Sequence, residues 1–183
     1  MMKTMKTTIA FLMGLSISAT AADMTVARLY DSQLSQVESE MMPLVKEVPE
    51  SAFGFAPKQG EFKNARTFAQ QAKHVATVMY MVSASAMQQK PPMDLGSGEN
   101  GPADIKTKDQ IVKYIGDAFV YAHKAMNSLT DKNQLDMVKP PFQGMPDAAR
   151  AGIANIAISH TFDHYGQMAV YARMNNIVPP ASR

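Results

Sequence analysis

The chain has 183 residues, of which 46% are hydrophobic and 19% charged, enough apolar material for one packed domain and too much for wholesale disorder. It has 16 Met, no Trp and no Cys, which excludes disulfides, thiolate metal sites, cysteine nucleophiles and covalent haem attachment. The net charge is only +2, from 18 Lys and Arg against 16 Asp and Glu.

Residues 1–22 read as a signal peptide. Lys3 and Lys6 precede the uncharged run "TTIAFLMGLSISA", and Ala19, Thr20 and Ala21 then offer small residues for cleavage near Ala21 or Ala22. The run is shorter than the roughly 20 apolar residues that a membrane-spanning helix needs. The expected product is exported, periplasmic or secreted, with no stable membrane anchor after cleavage and a domain over 23–183. Both surplus cations sit in the leader, so the remainder carries 16 charges of each sign. Nucleic-acid binding loses its electrostatic basis.

Beyond the leader no β-alternation of useful length and no internal repeat is visible, and four stretches have helical periodicity. The first runs from about Val26 to Val45, with Leu29, Gln33, Val37, Met41 and Leu44 at helical spacing. Pro49 and "FGFAP" then impose a loop. A second helix starts near Thr67, where Thr67 and Gln70 form a capping box. Its stripe is Phe68, Ala72, Val75, Met79, Val82 and Ala86, with His74 at the edge between core and surface. Pro91, Pro92 and "GSGENGP" break the chain.

A third helix begins near Thr107, where Thr107 and Gln110 repeat the box. Ile111, Ile115, Ala118, Ala122, Ala125 and Leu129 form its buried face. His123 lies outside that face, beside Lys124, and reads as solvated. The fourth helix is expected to open at Pro146 and to end at Asn175 or Asn176. Four such helices with Pro- and Gly-rich connections predict an all-α four-helix bundle.

The fourth helix carries the chemistry. At about 100° per residue, His164 falls about 40° from His160, with Gln167 and Tyr171 within about 20° of His160. Both histidines are therefore expected in the middle of an apolar stripe. Imidazoles at i and i+4 can present nitrogens to one ion. Hydrogen-bonded core histidines would produce the same spacing, so the pair alone does not decide between the two. A catalytic metal site needs a third ligand, and His74 is a better candidate than the solvated His123. Gln167 could orient a water or cap a buried polar contact, and the second role fits its place better. Tyr171 reads as core.

Other metal motifs fail. There is no Glu-x-x-His pair for a di-iron carboxylate bundle. "HTFDH" has Asp163 where an inverted metallopeptidase motif needs Glu, and no glutamate follows Glu99.

"RTFAQQAKHVA", followed far downstream by "HTFDHYGQMAVYARMNNIVPP", resembles the DinB-like family, also called DinB/YfiT-like, from about Val26 to the C-terminus. The resemblance implies a four-helix bundle of up-down-down-up topology and a divalent metal held by His74, His160 and His164. Zinc or nickel is the expected ion. His123 matches no ligand of the family, and Asn176 stands where a Gly is expected. Relatives of this type include thiol-dependent transferases and an isomerase, in which the metal is thought to activate a small thiol. The expectation is thus an exported, metal-dependent hydrolase or thiol-dependent transferase acting on a small molecule. The alternative is a periplasmic metal-binding bundle without turnover, for storage or stress protection. A further expectation concerns association. Ile158, Phe162 and Ala169 make the back of the fourth helix apolar, so a second subunit, giving a homodimer, or the loop with Phe53 and Phe55 should cover it.

Overall fold

In the computed structural model, residues 24–183 are described, and the expected signal peptide and its cleavage site lie outside them. Four long helices account for most of the chain: α1 (Val26–Glu47), α2 (Phe68–Ala86), α3 (Lys108–Asn127) and α4 (Arg150–Met174). Each of the first three starts where a threonine hydroxyl can accept a backbone N–H. Thr25 accepts from Arg28, and Thr67 and Thr107 form complete capping boxes with Gln70 and Gln110.

The helices close a ring in which α1 packs on α3 and α4, and α2 packs on the same two. Leu34, Val37, Met41 and Leu44 of α1 meet Phe68, Val75 and Met79 of α2, Ile111, Ile115 and Phe119 of α3, and Ile153 and Met168 of α4 in one core. Among the described residues no helix is long and apolar enough to cross a membrane.

The start of α4 differs from expectation. Pro146 does not open it, because the preceding segment folds back and supplies the cap. β1 (Met137–Val138) pairs antiparallel with β2 (Ala148–Ala149), Val138 opposite Ala148. The Arg150 and Ala151 amides then donate to the Asp136 and Gln134 carbonyls at 2.8 and 2.9 Å. Two of the helix's orphan N–H groups are satisfied by backbone, so no capping side chain appears. At the other end Asn176 takes the left-handed conformation, φ 61°, where the family resemblance placed a glycine.

The wheel reading of α4 also needs correcting. Its buried arc covers about half of the circumference, from Ile153, His160 and Tyr171 round to Ile158, Phe162 and Ala169. The histidines stand at one rim of that arc, against α2, and Thr161 and Met168 occupy its middle. The far side packs on α1, where burial and the Glu40 carboxylate push the Tyr165 phenol up. Helix α4 is apolar on two sides because it has two neighbours. The face that suggested a second subunit is thus covered within the chain. The loop with Phe53 and Phe55 packs elsewhere, Phe53 on Phe68 and Phe55 edge-on to Tyr171 at 5.7 Å.

Candidate metal centre

His74 of α2 and His160 and His164 of α4 meet between the two helices. Their Nε2 atoms converge: His160 Nε2 lies 3.1 Å from that of His74 and 3.1 Å from that of His164. Adjacent ligands on a tetrahedral ion with bonds of about 2.05 Å are about 3.3 Å apart, so this spacing fits a transition metal. Among the described residues this is the one cluster of three or more His, Asp or Glu side chains so placed.

Their outer nitrogens explain why the rings point inward. His74 Nδ1–H donates to the Glu99 carbonyl at 2.8 Å. His164 Nδ1–H donates to Gln71 Oε1, whose amide Nε2–H donates to Gln167 Oε1 at 3.0 Å. Gln167 Nε2–H donates in turn to Asp163 at 3.1 Å. A proton held on Nδ1 leaves the Nε2 lone pair of His74 and of His164 facing the cluster, the tautomer a metal ligand requires. The Nε2–H of His160 can donate to either, and binding an ion there would need that proton to move to Nδ1.

The surroundings keep all three rings neutral. His74 and His164 are 4% and 7% exposed. Burial is the largest influence on each and lowers its pKa. His160 is pushed down to about 3, with the two neighbouring imidazoles adding to burial, and His164 to about 4. Neutral imidazoles can bind a cation at neutral pH without first losing a proton to solvent.

His123 has the opposite environment. Where the sequence reading left it in solvent, it is partly buried and paired: Nδ1–H donates to Asp31 at 2.7 Å and Nε2–H to Glu38 at 3.0 Å, both on α1. Carboxylates only accept, so both ring nitrogens carry protons and the ring is an imidazolium. Burial opposes that charge, but the two carboxylates outweigh it and raise the pKa. His123 joins α3 to α1 and takes no part in the cluster.

Sequence reasoning missed Gln71, Glu99 and Arg66. Gln71 could have been found, being polar and three residues before His74 on the same side of α2. The Glu99 contact uses a backbone carbonyl, which any residue supplies. Gly101 lies two residues further along the same loop. Gly101 has φ 73°, and a Cβ there would stand 2.9 Å from Thr77 Oγ1. Gln167 takes the structural role, completing the polar chain behind His164, and Tyr171 is buried.

A cleft of ≈ 450 Å³ opens beside His164, lined among others by Phe62, Arg66, Gln167, Val170 and Met174. That volume lies within the range of small-molecule sites, about 300–1,000 Å³.

The sequence model described as the DinB superfamily matches residues 33–168. The fold is also similar to a crystal structure of a conserved protein from Enterococcus faecalis, with a TM-score of 0.65 at 11% identity, covering 83% of this chain and 98% of that one. No curated protein matches the sequence.

Proposed function

Since the chain belongs to the DinB superfamily, we propose that it is an exported metal-dependent enzyme acting on a small molecule, with a divalent ion, zinc or nickel, on His74, His160 and His164. The observation that carries this reading is the convergence of three buried, neutral imidazoles beside an open cleft. His74, His160 and His164 would hold the ion, which would supply Lewis acidity and lower the pKa of a water or thiol.

The chain's own residues do the rest. The Glu99 carbonyl and Gln71 hold the Nδ1 protons and so fix which nitrogen is offered. The polar chain through Gln167 to Asp163 fixes the Gln71 amide, so that its oxygen and not its nitrogen faces His164. The reaction is hydrolysis or transfer to a thiol. The chain has no Cys, so in the second case the thiol arrives as a co-substrate.

The cleft is what distinguishes catalysis from storage, since an ion held only for storage needs no neighbouring volume for a substrate. Purified protein, metal-free and reloaded with zinc or nickel, should be screened on esters, amides and thiol-conjugation substrates. Turnover is expected only in the reloaded protein, and turnover surviving complete metal removal would refute the reading. Mass spectrometry of the protein from its host tests export: a chain beginning near Ala22 supports it, and an intact Met1 on a soluble cytoplasmic product contradicts it.

A further inference from the structure

Three large apolar side chains that expose about half of their surface gather around one opening. Phe62 is 49% exposed, Val170 53% and Met174 51%, and all three line the cleft beside His164. Scattered exposed apolar residues need no explanation, but grouped around a concave site they mark where an apolar body leaves water. Tyr171, held edge-on by Phe55, gives the same wall a fixed aromatic surface.

The charge in this cleft has one sign. Arg66 is its charged lining residue among the described residues, no carboxylate lines it, and His164 is held neutral. Arg66 is placed by its own contacts: Nε–H donates to Asn100 Oδ1 at 2.9 Å, and Nη2 stands 3.9 Å from the Glu99 carboxylate, too far for a hydrogen bond. Its side chain is 35% exposed, neither buried by a partner nor fully in solvent. The guanidinium thus keeps donors in a fork that suits a carboxylate. The start of α2 cannot do this work. The amides of Phe68, Ala69 and Gln70 are already donated to the Phe55 and Phe53 carbonyls and to Thr67 Oγ1.

We infer that this cleft takes a small amphipathic acid, its carboxylate on Arg66 and its apolar body against Phe62, Tyr171 and Met174. The inference rests on the proposed metal site only for where the reacting end of the substrate sits. Arg66 and His164 line the same cleft, which places the anchor beside the imidazoles. A substrate anchored there presents its uncharged part to the cluster.

Calorimetric titration with 4-phenylbutyrate, 4-phenylbutan-1-ol and 4-phenylbutylamine separates the parts, because the three share one body and differ at the polar end. The acid should bind about tenfold more tightly than the alcohol, the value of one charge-assisted hydrogen bond, and the amine no more tightly than the alcohol. Arg66→Gln should abolish the acid's advantage and leave alcohol binding unchanged, and Arg66→Lys should retain part of it. The preference should persist in metal-free protein and in His160→Ala. Equal binding of acid and alcohol, no binding of any of the three, or a preference that survives Arg66→Gln would overturn the inference. So would a preference seen only with zinc present, since the ion would then hold the carboxylate. A chain that takes up no zinc yet keeps the Arg66-dependent preference would sink the metal reading alone.

Discussion

The four histidines divide into two environments that drive the same side chain in opposite directions. Around His74, His160 and His164 no carboxylate accepts a ring proton at close range, and the acceptors are a backbone carbonyl and an amide oxygen. Burial then decides, and the rings stay neutral. Around His123 two carboxylates accept at 2.7 and 3.0 Å, and their attraction exceeds the cost of burial. Burial alone therefore does not identify a metal ligand. The difference lies in whether the outer partner is a neutral acceptor, which preserves an inward lone pair, or an anion, which fills both nitrogens with protons.

The strongest way to break this contrast is at Gly101. Gly101→Val adds a Cβ against Thr77 and forces a β-branched residue to φ 73°, which should cost about 3 kcal/mol from strain and overpacking together. Urea unfolding measures the loss. Spectra of the folded variant should show His74 perturbed by the shifted Glu99 carbonyl and His123 unchanged. An equal perturbation of both would show that the two regions are not independent.

A smaller effect is expected at Gln71. Gln71→Leu removes the acceptor that fixes the His164 tautomer, and zinc affinity should fall about 10- to 100-fold. Competition with a chromophoric chelator would read this, and unchanged affinity would show that the hydrogen bond does not orient the ring. The corresponding loss at the other region, Glu38→Gln, should lower the His123 pKa and leave zinc binding untouched.

A third contrast lies in the pH dependence of the metal-free protein. The unfolded chain protonates His160 and His164 near 6.5, the folded chain only at about 3 and about 4. Between those values the unfolded state binds more protons, so these groups lower stability as pH falls below 6.5. For His123 the folded pKa is raised, so its contribution is complete below 6.5 and is lost as pH rises through the folded value. That contribution should stay below about 1 kcal/mol because its partners are partly solvated. Proton NMR titration should find one imidazole titrating above the ordinary histidine range and three below it. A His123 resonance titrating below 6.5 would contradict the ion-pair account.

Much of the bundle was legible because its signals are local. The stripes of α2 and α3 and the boxes at Thr67 and Thr107 lie within single helices, and α4 betrayed its part of the cluster by the i, i+4 spacing of His160 and His164. The stripe of α1 was legible only in part, since Leu29 is exposed and Leu34 is buried. What could not be read was set by distant contacts. The partners of His123 lie 92 and 85 residues away on α1, so a residue outside its helix's stripe looked solvated. The start of α4 is capped by backbone carbonyls of Gln134 and Asp136, which leave no mark in side-chain identity. The segment "GSGENGP" read as a break between helices. Folded, it supplies the Glu99 carbonyl to His74 and the Asn100 side chain to Arg66. The two apolar sides of α4 suggested an outside partner only because the ring of helices, with α4 between α1 and α2, could not be deduced from spacing.

The central claim is that three of the four histidines share one ion and the fourth has no part in it. The most direct test is metal content by plasma mass spectrometry, beside thermal melts with and without zinc, for the unaltered chain and for His74→Ala, His164→Ala and His123→Ala. The unaltered chain and His123→Ala should each hold one ion, and zinc at a hundredfold excess over its dissociation constant should stabilise them by about 2.7 kcal/mol. His74→Ala and His164→Ala should lose both the stoichiometric ion and the zinc-dependent rise in melting temperature. If both of those variants kept one tightly bound ion per chain, the three-histidine site would be wrong, and the cluster would be a hydrogen-bonded piece of the core.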